Sequence, residues 1–367
     1  MAGRLVLVGA GHAHLAVLRH LEDFTSRGVR VTVVGPAAEH YYSGMGPGLL
    51  AGTYRPEETR FPVRDMALRR GAEFRADRVV GVEPDARRLK LAGGGTLPYD
   101  AVSFNVGSLV PVAPDLAGHG ALFPVKPIEN LIAARRAIEA RLAAGETAVA
   151  VAGGGPAGLE IACAVRALAR RAGREAAVAL AAGGGLLPGF PARLQRAARA
   201  ALAARRIRLL EGERLLAARG EEAVLASGGR ISCAVLLLAV GVRPPPLFGD
   251  SGLPTDAEGA LCVNRFLQSP SHPEIFGGGD CIHFSPRPLS RVGVYAVRQN
   301  PVLLANLRAF FFGGEPVAFR PQRHFLLAFN LGDGRALVHW RGLVFGGRAA
   351  FRLKDRLDRG FLRRFRD

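Results

Sequence analysis

The chain has 367 residues, more than one ordinary core uses, so two or three domains are expected. Apolar residues make up 49% and the formal net charge is +18, which suits an anionic nucleotide, an acidic membrane surface or nucleic acid and says nothing of fold. No uncharged apolar run reaches the roughly 18–20 residues of a membrane span, and Cys163, Cys233, Cys262 and Cys281 lie too far apart for a C-x-x-C pair, a zinc ribbon or a disulfide framework.

Leu5–Leu18 reads LVLVGAGHAHLAVL: an apolar strand, a glycine turn, then a helical apolar pattern. That is how a dinucleotide-binding βαβ unit begins. Gly9 permits the tight bend and Gly11 lets backbone approach a pyrophosphate, to which the helix N-terminus offers free N–H groups. His14 stands where the third glycine of G-x-G-x-x-G belongs. It reads as a ring wedged between helix and strand, bonded to a backbone carbonyl. His12 lies at the helix mouth, within reach of a bound cofactor.

Val29–Val34 is the second strand. It runs into Gly35 and Pro36, without the carboxylate that usually takes ribose hydroxyls, and Glu39 comes too late. The glycine-rich loop Tyr42–Gly52 suits close approach by something flat. RADRVVGVEPDARRLKLAGGGTLPYDAVSFNVGSLVP predicts a small β-meander, then a strand and the turn Asn105-Val106-Gly107-Ser108.

From about Phe123 to Val242 the opening pattern repeats. AVAVAGGGPAGLEIACAVRAL, at Ala148–Leu168, carries the full fingerprint in Gly153, Gly155 and Gly158. One such motif is weak evidence. Two of them, each between a strand and a helix pattern, imply two related nucleotide-binding domains. CAVLLLAVGVRPPP supplies a second strand and turn, and short strands lead to a turn at Gly277–Asp280. VYAVRQNPVLLANLRAFFFG then reads as a helix.

This order of motifs resembles the pyridine nucleotide–disulfide oxidoreductase superfamily over roughly residues 4–312. Within it the chain is similar to the type II NADH dehydrogenase-like flavoproteins. GAGHAHLAVLR, YYSGMGPGLLAGTY, VKPIENL, GVYAVRQNPVLLANL and FRLKDRLDRGF resemble a subgroup often fused to, or encoded beside, selenide, water dikinase.

The resemblance implies an α/β fold with two Rossmann-like dinucleotide-binding domains. An FAD domain would occupy residues 1–113 and 244–315, with an NAD(P) domain inserted at 114–243 and a small C-terminal region at 316–367. FAD would be held by Gly9, Ala10, Gly11, His12, Ala13, Val79, Asn105, Gly107, Gly279 and Asp280. Asp280 would bond the ribityl or pyrophosphate part, and Asn105–Gly107 would run under the pyrophosphate and adenine side. NADH or NADPH would sit on Gly153, Gly155, Pro156 and Gly158. Glu160 matches a position where related enzymes keep a carboxylate near nicotinamide and flavin; an ordinary helix-surface glutamate is the plainer reading. Tyr295 reads either as a residue stacking near the flavin or as a core tyrosine. No metal site is expected.

Three departures narrow the chemistry. No C-x-x-x-x-C follows the first fingerprint, so the flavin–dithiol relay of disulfide reductases is not expected. The strand AAVALAAGGG ends in Ala181 and Ala182, with neither a carboxylate for NAD nor an arginine for NADP, which leaves the nucleotide open. The A-Q-x-x-x-Q of type II quinone sites is replaced, Val294 and Arg298 standing for the glutamines with Gln299 adjacent.

In the tail, Leu353, Leu357, Phe361 and Phe365 recur every fourth position and predict one apolar ridge on a basic helix. An anionic membrane surface, the chain's own domain and the second subunit of a homodimer are the three candidates for what covers it. The expected function is an FAD-dependent oxidoreductase carrying electrons from NAD(P)H to an unidentified small-molecule acceptor, quinone among them. The subgroup likeness alone adds a link to selenium metabolism. The rivals are a sulfide- or selenide:quinone oxidoreductase-like enzyme using Cys163 or Cys281, and a flavin-bound sensor or partner protein without turnover. No secretory signal is visible, so the expected place is the cytoplasm or the inner face of a membrane. No basic stretch interleaved with aromatics supports nucleic-acid binding.

Overall fold

The computed structural model describes residues 3–145 and 147–366. The first unit begins with β1 (Arg4–Val8), α1 (Leu15–Arg19), β2 (Arg30–Gly35), β3 (Glu73–Ala76) and β4 (Ala101–Phe104). Next come β5 (Leu122–Pro124), α2 (Glu129–Ala144), β6 (Thr147–Ala152) and α3 (Pro156–Arg171). They are followed by β7 (Ala176–Ala182), α4 (Ala192–Ala204), β8 (Ile207–Glu211) and β9 (Val235–Leu238). The chain continues with β10 (Ile275–Gly277) and α5 (Gly293–Phe312), and closes with β11 (Leu327–Asn330), β12 (Ala336–Trp340), β13 (Leu343–Gly347) and α6 (Arg348–Arg366).

Two parallel five-stranded sheets result, in the orders β10-β4-β1-β2-β3 and β5-β9-β6-β7-β8. The chain leaves the first sheet after Phe104 and rejoins it at Ile275, so the second sheet is built between two strands of the first. This is a doubly wound, Rossmann-like α/β architecture. The central strands are near-continuous apolar runs because helices cover both faces; Leu5, Val6, Leu7 and Val8 are all buried.

Strand order reverses between β1 and β4 in one sheet and between β6 and β9 in the other. Open α/β sheets hold ligands in the crevice at the carboxyl ends of such strands. Both glycine turns and the turn after β4 lie there. The meander is present as three antiparallel strands, Val79–Glu83, Arg88–Leu91 and Thr96–Pro98.

The C-terminal unit is an antiparallel sheet, β11-β12-β13, with α6 packed on it. The expected apolar ridge is corrected. Leu353 and Leu357 are 38% and 52% exposed, while Ala350, Lys354, Asp358, Leu362 and Phe365 are buried. Helical geometry explains the difference: a four-residue step overshoots a full turn by roughly 40°, so the ridge winds around the helix. Phe361 and Phe365 reach the first core; Leu353 and Leu357 are carried outward.

Candidate active site

The first cradle is closed by glycine geometry. Gly9 has φ +78°, and a Cβ there would meet the Asn105 carbonyl oxygen at 2.5 Å. A Cβ at Gly11 would collide with Asn105 Oδ1. Asn105, buried at the end of β4, ties three segments together. Its Oδ1 accepts the Ala13 N–H at 3.0 Å, and its Nδ2 donates to the Gly278 carbonyl at 2.6 Å.

His14 is fully buried, with Nδ1 2.7 Å from the Gly9 carbonyl and Nε2 2.8 Å from Ser103 Oγ. A carbonyl only accepts, so Nδ1 carries the proton and Nε2 accepts from the serine. Burial pulls the imidazole down to about 4, against the smaller upward pull of the Gly9 carbonyl. The wedged-ring reading holds. The helix start also changes: His12–His14 form a 3-10 turn, and α1 runs for only 5 residues.

His12 is buried, its ring 5.2 Å from each of His40 and Tyr42 between centroids. Burial lowers it to about 4, and lowers His40 to about 3. The Nε2 atoms of both are buried without a hydrogen-bond partner. Such an orphan costs about 1–3 kcal/mol unless something polar meets it.

The G-D turn completes this rim. Burial pushes the Asp280 carboxyl up, but Lys126 Nζ at 2.6 Å and Ser108 Oγ at 2.9 Å hold it below the usual range. Gln299 Oε1 accepts the Gly279 N–H at 2.7 Å, so this glutamine serves the turn. Tyr295 is half-buried, lines a small cleft with Gly279, Asp280 and Gln299, and meets Phe325 edge-on at 5.6 Å. Ala10 and Gly107 are half-buried; Val79 starts the meander, paired with Leu91. The glycine cradle, the orphaned His12 Nε2 and the Ser108–Asp280–Lys126 set fit a flavin dinucleotide. The residues available to hold it are Gly9–Ala13, Asn105–Ser108 and Gly279–Asp280.

The second cradle is more open. Gly153 has φ +122°, and a Cβ there would collide with the Ala239 carbonyl. A Cβ at Gly158 would strike the Gly153 carbonyl, so α3 sits directly on the turn. Nothing lies within 4 Å of a Cβ at Gly155, and Pro156 is exposed. Behind this opening stands a 16-residue helix with its N-terminal N–H groups at the turn.

Glu160, one turn into α3, is half-buried, which corrects the surface reading. It accepts the Asn330 N–H from β11 at 2.6 Å. Burial raises its carboxyl to about 7, against the opposing pull of Lys354 and the Asn330 N–H. Lys354, buried on α6, donates to the Gly44 carbonyl at 2.7 Å and to Asp358 at 2.6 Å. Tyr42 Oη donates to Asp358 Oδ1 at 3.2 Å. The C-terminal unit thus meets both cradles. Lys126, His40, Lys354 and Asp358 were absent from the sequence-derived site set; VKPIENL and FRLKDRLDRGF, which contain three of them, carried only a family likeness.

The comparisons with known proteins agree with this geometry. The ferredoxin–NAD(+) reductase component of the anthranilate 1,2-dioxygenase system of Burkholderia cepacia is 33% identical over 177 residues. That match covers 46% of this chain and 41% of the relative, so the chain spans less than half the length of this curated relative. The sulfide:quinone oxidoreductase of Aquifex aeolicus superposes with TM-score 0.83 at 15% identity, over 100% of this chain and 92% of that one. NDH2 of Plasmodium falciparum in complex with NADH gives 0.83 at 13%, over 100% and 98%. These two likenesses concern the fold. The family model for pyridine nucleotide-disulphide oxidoreductases matches residues 3–299. The chain belongs to that family.

Proposed function

We propose that hydride enters from a pyridine nucleotide at Gly153–Gly158 and that electrons leave to a quinone-like acceptor on the side closed by α6. FAD, when bound, supplies the redox chemistry. The chain's residues supply position and protons. Gly9, Ala10, Gly11, His12 and Ala13 would hold the pyrophosphate, with Asn105, Gly107, Gly279 and Asp280 along the dinucleotide and Val79 on its adenine side. Tyr295 would flank the ring system. The observation that carries the reading is Glu160: a half-buried carboxyl raised to about 7, where the nucleotide helix α3 meets the C-terminal unit and its buried Lys354. Such a group can hold or release a proton near neutral pH.

A quinone acceptor is a lipid, and the C-terminal unit supports a membrane-surface setting. Leu353 and Leu357 are exposed beside Arg352 and Arg356, and Trp340, Leu343 and Phe345 are exposed on β12 and β13. Exposed apolar and basic groups in the same unit suit an anionic bilayer. Among the described residues no helix is long and apolar enough to cross one. The test has two parts. Protein reduced without oxygen should be reoxidised by a short-chain quinone, and should float with anionic but not neutral vesicles. Reoxidation by a ferredoxin-type protein and not by quinone would overturn the acceptor.

The cysteine-dependent rival is disfavoured. Burial pushes the Cys163 and Cys281 thiols up to about 12 and Cys233 to about 11, and it raises Cys262. A link to selenophosphate formation rests on subgroup likeness. Unchanged output of a selenide, water dikinase reaction on adding this protein with NAD(P)H would remove it.

A further inference from the structure

Strand β7 ends at Ala182 with no carboxylate to accept from an adenosine 2′-hydroxyl, the usual device for choosing NAD. The structure puts a different side chain at this place. Arg214, from the turn after β8, lies across Gly183, the next residue along. A methyl group added at Gly183 would collide with Arg214 Cγ and lie 3.0 Å from its Cδ. The arginine stem therefore runs against the backbone at the end of β7, and its head is solvent-exposed. Among the described residues the Arg214 guanidinium has no hydrogen-bond or ion-pair partner.

The neighbouring carboxylates are engaged elsewhere. Glu211, at the end of β8, takes Arg199 through both oxygens at 2.8 Å and also accepts the Leu186 N–H at 3.0 Å. Glu213 accepts the Ser227 N–H at 3.2 Å. Among the described residues Arg214 is thus a cation without an ion-pair partner, Glu211 is neutralised by Arg199, and Glu213 is held through one oxygen by a backbone N–H. A free ribose 2′-hydroxyl finds no carboxylate on the end of β7 itself. A 2′-phosphate finds a planar guanidinium fork, whose bonds to phosphate are charge-assisted and directional.

We propose that Arg214 is the specificity-determining residue of the second cradle and selects a 2′-phosphorylated nucleotide, NADPH over NADH. The inference rests on that cradle holding the hydride donor. Sequence order hides it, because Arg214 reaches the end of β7 from beyond the following strand.

The test is equilibrium binding to purified, flavin-loaded protein, with NADPH and NADH, and with 2′,5′-ADP and 5′-AMP as their adenosine halves. Native protein should bind NADPH and 2′,5′-ADP at least tenfold more tightly than their unphosphorylated counterparts. Arg214→Ala should cut that ratio by on the order of tenfold to a hundredfold, the strength of a charge-assisted hydrogen-bonded pair. Arg219→Ala, on the hairpin strand Leu215–Arg219, should leave the ratio in place. NADH binding as tightly as NADPH, or an Arg214→Ala ratio equal to the native one, would overturn the assignment to Arg214 while leaving the cradle as the donor site. Binding of neither nucleotide would overturn both.

Discussion

Asn105 Oδ1 accepts the backbone N–H of Ala13 at 3.0 Å, across the crevice between β4 and the first glycine turn. The same amide donates to Gly278, so one buried side chain sets the spacing of three motifs that lie far apart in sequence. Asn105→Leu keeps the volume and removes both bonds. It leaves the buried Ala13 N–H unpaired, at about 1–3 kcal/mol, and takes from the Gly278 carbonyl a donor that it shares with the Cys281 thiol. The expected outcome is a lower melting temperature with flavin lost on gel filtration. Native melting and full flavin content would contradict the role.

Acid should unfold the chain through its buried imidazoles. Burial lowers His12 and His14 to about 4 and His40 to about 3, from an ordinary 6.5. Below 6.5 the unfolded chain takes up protons that the folded state refuses. Their contribution is therefore fully present above 6.5 and falls away as pH drops toward 4. His40→Phe keeps an aromatic ring beside His12 and Phe61 and removes one titrating group. Melting temperature against pH should fall less steeply for this variant between 6.5 and 4. Equal slopes would show that His40 is not neutral in the fold.

Lys354 and Asp358 form a buried ion pair, with side chains 9% and 10% exposed. Lys354→Met leaves Asp358 buried and uncompensated, at about 3–5 kcal/mol. The double variant Lys354→Met/Asp358→Leu should cost clearly less than the two single changes added together. Urea denaturation of the four proteins reads the coupling directly. Additive costs would mean that the pair is not formed.

Glu160 should show the opposite pH sign to the histidines. Its carboxyl is raised from 4.5 to about 7, so the folded state keeps a proton that the unfolded state releases. That contribution is fully present below 4.5 and is lost as pH rises through 7. Glu160→Gln should therefore gain stability relative to the native chain across this window. Its rate of flavin reduction should also lack an inflection near pH 7. A native-like pH profile in both readouts would remove the proton role.

Much of the fold was legible because its signals are local. Gly9, Gly11 and Gly153 sit on strand-to-helix turns and Gly158 in the first turn of α3, a local pattern of strand, glycines and helix, although the backbone that Gly9 and Gly153 approach comes from Asn105 and Ala239. His14 was readable for the same reason: its carbonyl partner lies 5 residues away. The rest depends on distant pairings. Lys354 meets Gly44 from 310 residues away, and Lys126 meets Asp280 from 154. No spacing rule connects them. The α6 ridge misled because a four-residue repeat looks like one face over two turns and drifts off it over four.

The central claim is that the second cradle feeds electrons to the first. The direct measurement is an anaerobic titration of the flavin-loaded protein with NADPH, and with NADH in a separate cell. The account expects the yellow absorbance to bleach with about one equivalent of nucleotide, faster with NADPH than with NADH. No bleaching by either nucleotide, with dithionite still reducing the flavin, would contradict it.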